Sequence, residues 1–218
     1  MKDHKIKYVL KLISKDDINF QNLKEYYWKS PNKEIHYYSI NENVSGNFDW
    51  KTVINIVIDN NYLGNDFKNL ELKYNIIKNE LLKSMNLNVK NTICELYKQY
   101  YFGDELAGKN LIISFYSMNN QRSKIEKEEI MIEHLDMEKQ QNLYKLVHFN
   151  QIMNESKNSN QFEFVFESYL EDPSHINNLY NQDFIEIMRR HSEGFLDVTT
   201  RRLAFGQVKI LNEKQKLL

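Results

Sequence analysis

Ile6, Tyr8, Leu10 and Leu12 alternate with Lys5, Lys7 and Lys11, the period-two pattern of a strand with one buried face. Asp16 or Asp17 can then cap a short helix carrying Phe20, Leu23 and Tyr27 on one side. Residues 36–40 are aromatic and favour a strand. Residues 52–58 are ambiguous, because their β-branched run suits a strand while Asp49 and the Val53/Val57 spacing allow a helix. Phe67, Leu70, Tyr74, Ile77, Leu81 and Met85 recur at steps of three and four, which predicts an amphipathic helix over 66–86. Thr92 and Glu95 match a capping box ahead of a stripe of Ile93, Leu96, Tyr97 and Tyr100, so a second helix and a central helical hairpin are expected.

The second half of the chain alternates. Residues 111–118 read as a buried strand turning at Asn119-Asn120, with Glu128, Ile130 and Ile132 as its hairpin partner. Residues 137–153 read as a helix through Leu143, Leu146, Val147 and Met153. Phe162, Phe164 and Phe166 interleave with Glu163, Val165 and Glu167 as a strand. Asp172-Pro173 opens a helix that continues through Ile176, Leu179, Phe184, Ile187 and Met188 and stops at Gly194. A last strand falls within residues 203–211. The sum is an α+β fold, a mainly antiparallel or mixed sheet flanked by helices. One domain over 1–218 is expected, with residues 64–104 as a possible helical subdomain and no internal repeat.

This order loosely resembles the acetyltransferase arrangement. The segment that would receive a pyrophosphate there is His134-Leu135-Asp136-Met137-Glu138, which has no glycine amides to offer and two carboxylates that repel phosphate. The resemblance is not carried into a function.

Composition narrows the classes. The 218 residues are 41% hydrophobic, enough for a sizeable core, and carry 29 basic against 30 acidic side chains. A net charge of −1 excludes a uniformly basic nucleic-acid coat. The single Cys94 excludes a disulfide framework and any cysteine-based zinc site within the chain. No apolar run reaches the ~20 residues of a spanning helix and no cleavable leader is visible, so no membrane partner and a cytoplasmic address are expected. Lys, Asn, Ile and Tyr are abundant and Gly scarce, as in an AT-rich genome. Each Arg, Gly and Ala that persists therefore carries a little more information.

Gly103 to Lys109 fits the spacing G-x-x-x-x-G-K, but Asn110 stands where magnesium needs a hydroxyl and the strand–loop–helix order is inverted. It reads as a connector. Glu129, Glu133, His134 and Asp136 do not share one face in either a strand or a helix and read as a solvated acidic edge. No His-x-His or His-Glu-x-x-His spacing occurs, and no Gly-x-Ser-x-Gly elbow is present. No catalytic residue, metal ligand or cofactor is assigned, and the balance leans away from an enzyme; a third reading, an enzyme with a dispersed site, needs His134, His148 or His191 to converge with acids.

Two features remain. Four of the five arginines, Arg189, Arg190, Arg201 and Arg202, lie within fourteen residues of one another, together with His191. The segment from Ile187 onward has seven Lys/Arg against three Asp/Glu, a natural counterpart to the acids of residues 126–138. Tyr26, Tyr27 and Trp28 form an aromatic cluster beside Lys29. Guanidinium groups and tyrosines favour interfaces. The resulting expectation is a non-enzymatic intracellular protein-binding factor of inhibitor, immunity or accessory type. A nucleic-acid-binding or nucleic-acid-processing module using the same arginines on phosphates is the alternative.

Overall fold

The computed structural model describes residues 5–29, 34–45, 49–58, 67–102, 110–118, 123–141, 146–153, 162–170, 182–193 and 196–212. The first half of the chain runs β1 (Lys5–Ser14), α1 (Phe20–Lys29), β2 (Glu34–Ser45), β3 (Thr52–Ile58), α2 (Phe67–Ser84) and β4 (Thr92–Phe102). The second half repeats that order with β5 (Asn110–Met118), α3 (Lys124–Gln141), β6 (Leu146–Ile152), β7 (Phe164–Leu170), α4 (Gln182–Glu193) and β8 (Leu196–Asn212). Each half is thus a βαββαβ unit. All eight strands pair antiparallel in the ring β1-β3-β2-β8-β5-β7-β6-β4, which closes into a barrel.

The expected flanked α+β sheet is therefore corrected: the sheet closes on itself, and closure removes its edges. The repeat missing from the sequence is present in the topology. In the ring each strand of the first half stands opposite its counterpart, β1 opposite β5, β2 opposite β6 and β3 opposite β7. The registers make the match residue by residue. His36 on β2 faces Asn55 on β3, and His148 on β6 faces Glu167 on β7. Lys11 on β1 faces Asn55 as Ile113 on β5 faces Glu167.

Strand alternation sorts the side chains into three clusters. Ile13, Tyr38, Val53, Tyr97, Phe115, Ile152, Val165 and Ala204 point into the bore, with Trp50 and Phe162 packed against them at one end. Leu10, Leu12, Ile54, Ile56, Cys94 and Leu96 point outward beneath α1 and α2, where they meet Leu23, Tyr27, Tyr74, Ile77 and Leu81. Val147, Phe149, Phe164 and Phe166 do the same in the second half, beneath Met131 and Leu135 of α3. Residues buried on both faces lose the alternation that marks a half-exposed strand.

That explains the element errors. β4 was expected as a helix, but Tyr97 and Ile93 face the bore while Cys94, Leu96 and Tyr100 face outward. A strand apolar on both faces matches helical spacing by accident, so the central helical hairpin does not form. β6 was expected inside a helix for the same reason. Residues 128–132 lie within α3, not in a hairpin strand. The pyrophosphate-loop segment 134–138 lies mid-helix in α3. Residues 52–58 resolve as strand β3, fully paired to β1 and β2. The Gly103–Lys109 connector, the Asn119-Asn120 turn, Asp172-Pro173 and Gly194 lie outside the described residues.

Candidate functional site in the barrel

Lys11 interrupts the apolar run of β1 because its position points into the bore, where its side chain is fully buried. Its ammonium donates to Oε1 of Glu167 on β7 and to Asn55 Oδ1 at 2.6 Å. Asn55 donates in turn to both carboxylate oxygens of Glu167, at 2.8 and 3.1 Å, and to the Tyr38 hydroxyl at 2.8 Å. Tyr38 and Tyr169 share a hydrogen bond of 2.6 Å between their hydroxyls. The bonded groups come from β1, β2, β3 and β7, so the network spans the bore.

His148 closes the cluster. Its Nδ1 lies 3.1 Å from Glu167 Oε2 and 3.2 Å from the Tyr169 hydroxyl. An ionised carboxylate only accepts, so Nδ1 carries the proton and Nε2 holds a lone pair. Among the described residues Nε2 meets no hydrogen-bond partner. The second histidine, His36, places Nε2 2.6 Å from Glu34 and Nδ1 3.1 Å from the Tyr38 hydroxyl.

The ionisation states follow from burial and contacts. Burial pushes the Glu167 carboxyl upward, but the Lys11 ammonium and the hydrogen bonds from His148 and Asn55 outweigh it and hold it well below its usual range. Burial lowers Lys11, and Glu167 opposes the shift; the two stay an ion pair. Burial also lowers His148, to about 4, against the pull of Glu167. The Tyr38 and Tyr169 hydroxyls are raised well above their ordinary value, first by burial and then by the Glu167 charge. At neutral pH the cluster therefore holds one anion, one cation, two phenols and one neutral imidazole.

Towards one end of the bore Trp50 and Phe162 pack against Phe115 and its neighbours, with Phe115 and Phe162 ring centroids 4.8 Å apart. The other end is polar. Lys7 stands 5.0 Å over the Tyr101 ring and 3.7 Å from Glu34, and the Tyr101 ring meets His148 edge-on at 5.9 Å. Lys7 and Glu34 keep about a third of their side chains exposed (35% and 32%).

The residues singled out in the sequence lie elsewhere. Arg189 pairs with Glu186 and Glu193, and Arg190 with Glu186, all on exposed turns of α4. His191 lies against His134, Nδ1 to Nδ1 at 3.2 Å, and 3.4 Å from Glu133. Arg202 donates to the Thr200 carbonyl at 3.1 Å; Arg201 lies on β8 with its side chain outside those described. Tyr26 and Tyr27 are buried on the inner side of α1, so Trp28 alone of the three is exposed. Cys94 is buried and its thiol pushed up to about 12. No group of three or more His, Cys, Asp or Glu able to hold a metal ion occurs among the described residues. No helix among them is long and apolar enough to cross a membrane.

No protein-family profile matches the sequence, and no curated protein matches it either. Solved structures do. The chain is similar to an anthrone oxidase-like protein, with a TM-score of 0.60 at 10% identity over 97% of this chain and 94% of that one. It is similar to a proposed monooxygenase from Fusobacterium nucleatum, with a TM-score of 0.57 at 12% identity over 98% and 96%. A proposed chlorite dismutase gives a TM-score of 0.50 at 12% identity over 93% and 95%. The barrel is shared over nearly the whole of each chain.

These findings correct the expected function. None of the three is described as a protein-binding factor of inhibitor or immunity type, nor as a nucleic-acid module. Among the described residues a connected cluster of buried polar groups lies inside the barrel rather than on an Arg-bearing aromatic surface. Sequence reasoning named His148 only among three histidines of a dispersed site, and passed over Lys11, His36, Tyr38, Asn55, Glu167 and Tyr169. One signal was available: Lys11 stands where an apolar residue belongs. The rest depended on knowing that β7 is covered on both sides.

Proposed function

We propose that this chain is a small-molecule enzyme that works inside the polar end of its barrel, with His148 Nε2 as the base. The observation that carries the reading is the Glu167–His148 contact. A buried carboxylate holds Nδ1–H, aims the free Nε2 lone pair, and stabilises the imidazolium that forms when Nε2 takes a proton. Lys11 and Asn55 keep that carboxylate ionised and in place. Tyr38 and Tyr169, both neutral phenols, supply hydroxyls beside the same oxygen. The substrate class that suits one buried neutral base is an organic molecule with an acidified C–H or O–H, such as a phenol or an aryl ketone.

The similar structures described as oxidase-like and monooxygenase support a substrate of this kind, and an anthrone is the first compound to try. Its methylene lies between two aryl rings and gives a delocalised anion on losing a proton. The test incubates the protein with anthrone under argon and under air. It follows the anion by absorbance and oxygen by electrode. Faster deprotonation with wild-type protein than with His148→Gln is expected. Equal rates for the two proteins, across anthrone and a set of simple phenols, would sink the reading.

A further inference from the structure

The Glu167 carboxylate divides its two oxygens between two groups that can each carry a positive charge. Oε1 takes the Lys11 ammonium and Oε2 takes His148. One buried anion compensates one buried cation, because a second cation would have no counter-charge in a low-dielectric bore. Before a substrate anion forms in the bore, either Lys11 or His148 is charged, not both. The other charged or titratable groups facing His148 do not change this choice. From β2 come His36, whose ring stacks on it at 6.1 Å, and Tyr38; from β4 come Tyr101 and, near Lys11, Tyr97; from β7 comes Tyr169. Glu34 is already bonded to His36, and Lys7 lies at the rim beside it.

The two halves of the fold sharpen the point. The position equivalent to Lys11 in the second half is Ile113, and the position equivalent to Glu167 in the first half is Asn55. The cation and the anion are each present once, on opposite walls, and meet across the bore.

We propose that Lys11 is the positioning residue that sets the charge state of His148: by holding the positive charge on Oε1 of Glu167, it keeps His148 the neutral Nδ1–H tautomer with Nε2 free. This rests on the assignment of His148 as the base, but it concerns the imidazole itself and can be read without any substrate. The chemistry is a proton distribution only; no electrons move. In Lys11→Met the carboxylate loses its cation, and one proton from solvent takes its place on His148. The base is then already occupied.

The test is long-range ¹H–¹⁵N spectroscopy of histidine side chains across pH, with His148 assigned by the signal missing from His148→Gln. Wild type should show the neutral Nδ1–H tautomer at pH 7. Lys11→Met should show an imidazolium there, which needs its midpoint raised from about 4 to above 7, at least about three pH units or a thousandfold in proton affinity. Lys11→Arg, which keeps the charge, should restore the neutral ring. An imidazolium in wild type at pH 7, or a neutral His148 in Lys11→Met because Glu167 takes the proton instead, overturns the proposal. Should Lys11→Met fail to fold, the wild-type Lys11 Cε resonance decides: it must report an ammonium while His148 is neutral, and a neutral amine overturns the proposal. If the spectra come out as expected while anthrone and phenols remain untouched, the function falls and the role of Lys11 stands.

Discussion

The imidazoles of His36 and His148 stack across the bore of the barrel, their centroids 6.1 Å apart and their planes 20° from parallel. They come from β2 and β6, which stand opposite each other in the ring, and from equivalent positions of the two halves. Equivalence of position has not brought equivalence of role. His36 uses both nitrogens, one on Glu34 and one on Tyr38. His148 uses Nδ1 alone.

Replacing the two histidines therefore separates their contributions. His148→Gln removes the free base and should lower kcat/KM for the responsive substrate about 10²–10⁴-fold, the usual worth of a positioned acid–base group. His36→Gln keeps an amide that can bond Glu34, and should lose much less. Steady-state kinetics on both variants checks this. A larger loss in His36→Gln would move the base to the other wall.

The Lys11–Glu167 pair makes a second, substrate-free prediction. Both side chains are fully buried, so Glu167→Gln strands the Lys11 ammonium, whereas in Lys11→Met a protonated His148 stands in beside Glu167. Glu167→Gln should cost about 3–5 kcal/mol in urea unfolding and Lys11→Met less. The double variant Lys11→Met/Glu167→Gln should cost clearly less than the two single losses added, because neither charge is then left alone. Strict additivity would mean the pair is not coupled.

How much of this was legible turns on burial. β1, α1, α2, β5, β7 and β8 could be placed from periodicity, because a helix with one apolar stripe or a short β-branched run announces itself. β4 and β6 could not, since barrel strands beneath helices are covered on both faces. α3 was missed for a different reason. Its inward stripe includes Lys127 and His134 beside Met131 and Leu135, which blurs the apolar pattern. The signal that did mark its start was the Ser123/Glu126 capping box, with Glu126 accepting from the Ser123 amide at 2.8 Å and hydroxyl at 2.7 Å. The Thr92/Glu95 pair carried the same letters but opens a strand. Glu167 looked like the solvent side of an alternating strand, when the bore was its other side.

Acid should destabilise the fold early. His148 and His134 are both held neutral by burial, with values lowered from 6.5 to about 4 and about 3, His134 also through its neighbour His191. The unfolded chain binds protons at these histidines below pH 6.5, while the folded chain does not. Their contribution is thus complete above pH 6.5 and is lost as pH falls toward 4 and then 3. Glu34 adds a later loss. His36 bonds it and holds it at about 2, against the opposing effect of burial, so its contribution fades as pH drops below 4.5. The urea midpoint should be level from pH 7 to 8 and fall steadily from 6.5 to 4. His134→Gln should make that fall shallower. An unchanged slope would show that this imidazole does not differ between the folded and unfolded states.

The last prediction concerns how the two halves are joined. β8 lies between β2 of the first half and β5 of its own half, and Gly206 pairs with Ile40 on one side and Leu111 on the other. A Cβ at this position would sit 2.4 Å from the Ser39 carbonyl oxygen and 3.5 Å from Ile40 Cα. Both atoms are backbone, so no side chain can swing aside to make room. The irregular register of β2 beside it, between Ile40 and Glu42, accommodates the close approach. Gly206→Ala should therefore force β2 and β8 apart and cost at least about 1–3 kcal/mol, the range for overpacking a filled core. Urea unfolding of Gly206→Ala, beside Ala204→Gly two positions away on the same strand, measures it. Wild-type stability in Gly206→Ala would mean that β2 and β8 have room to spare at this seam.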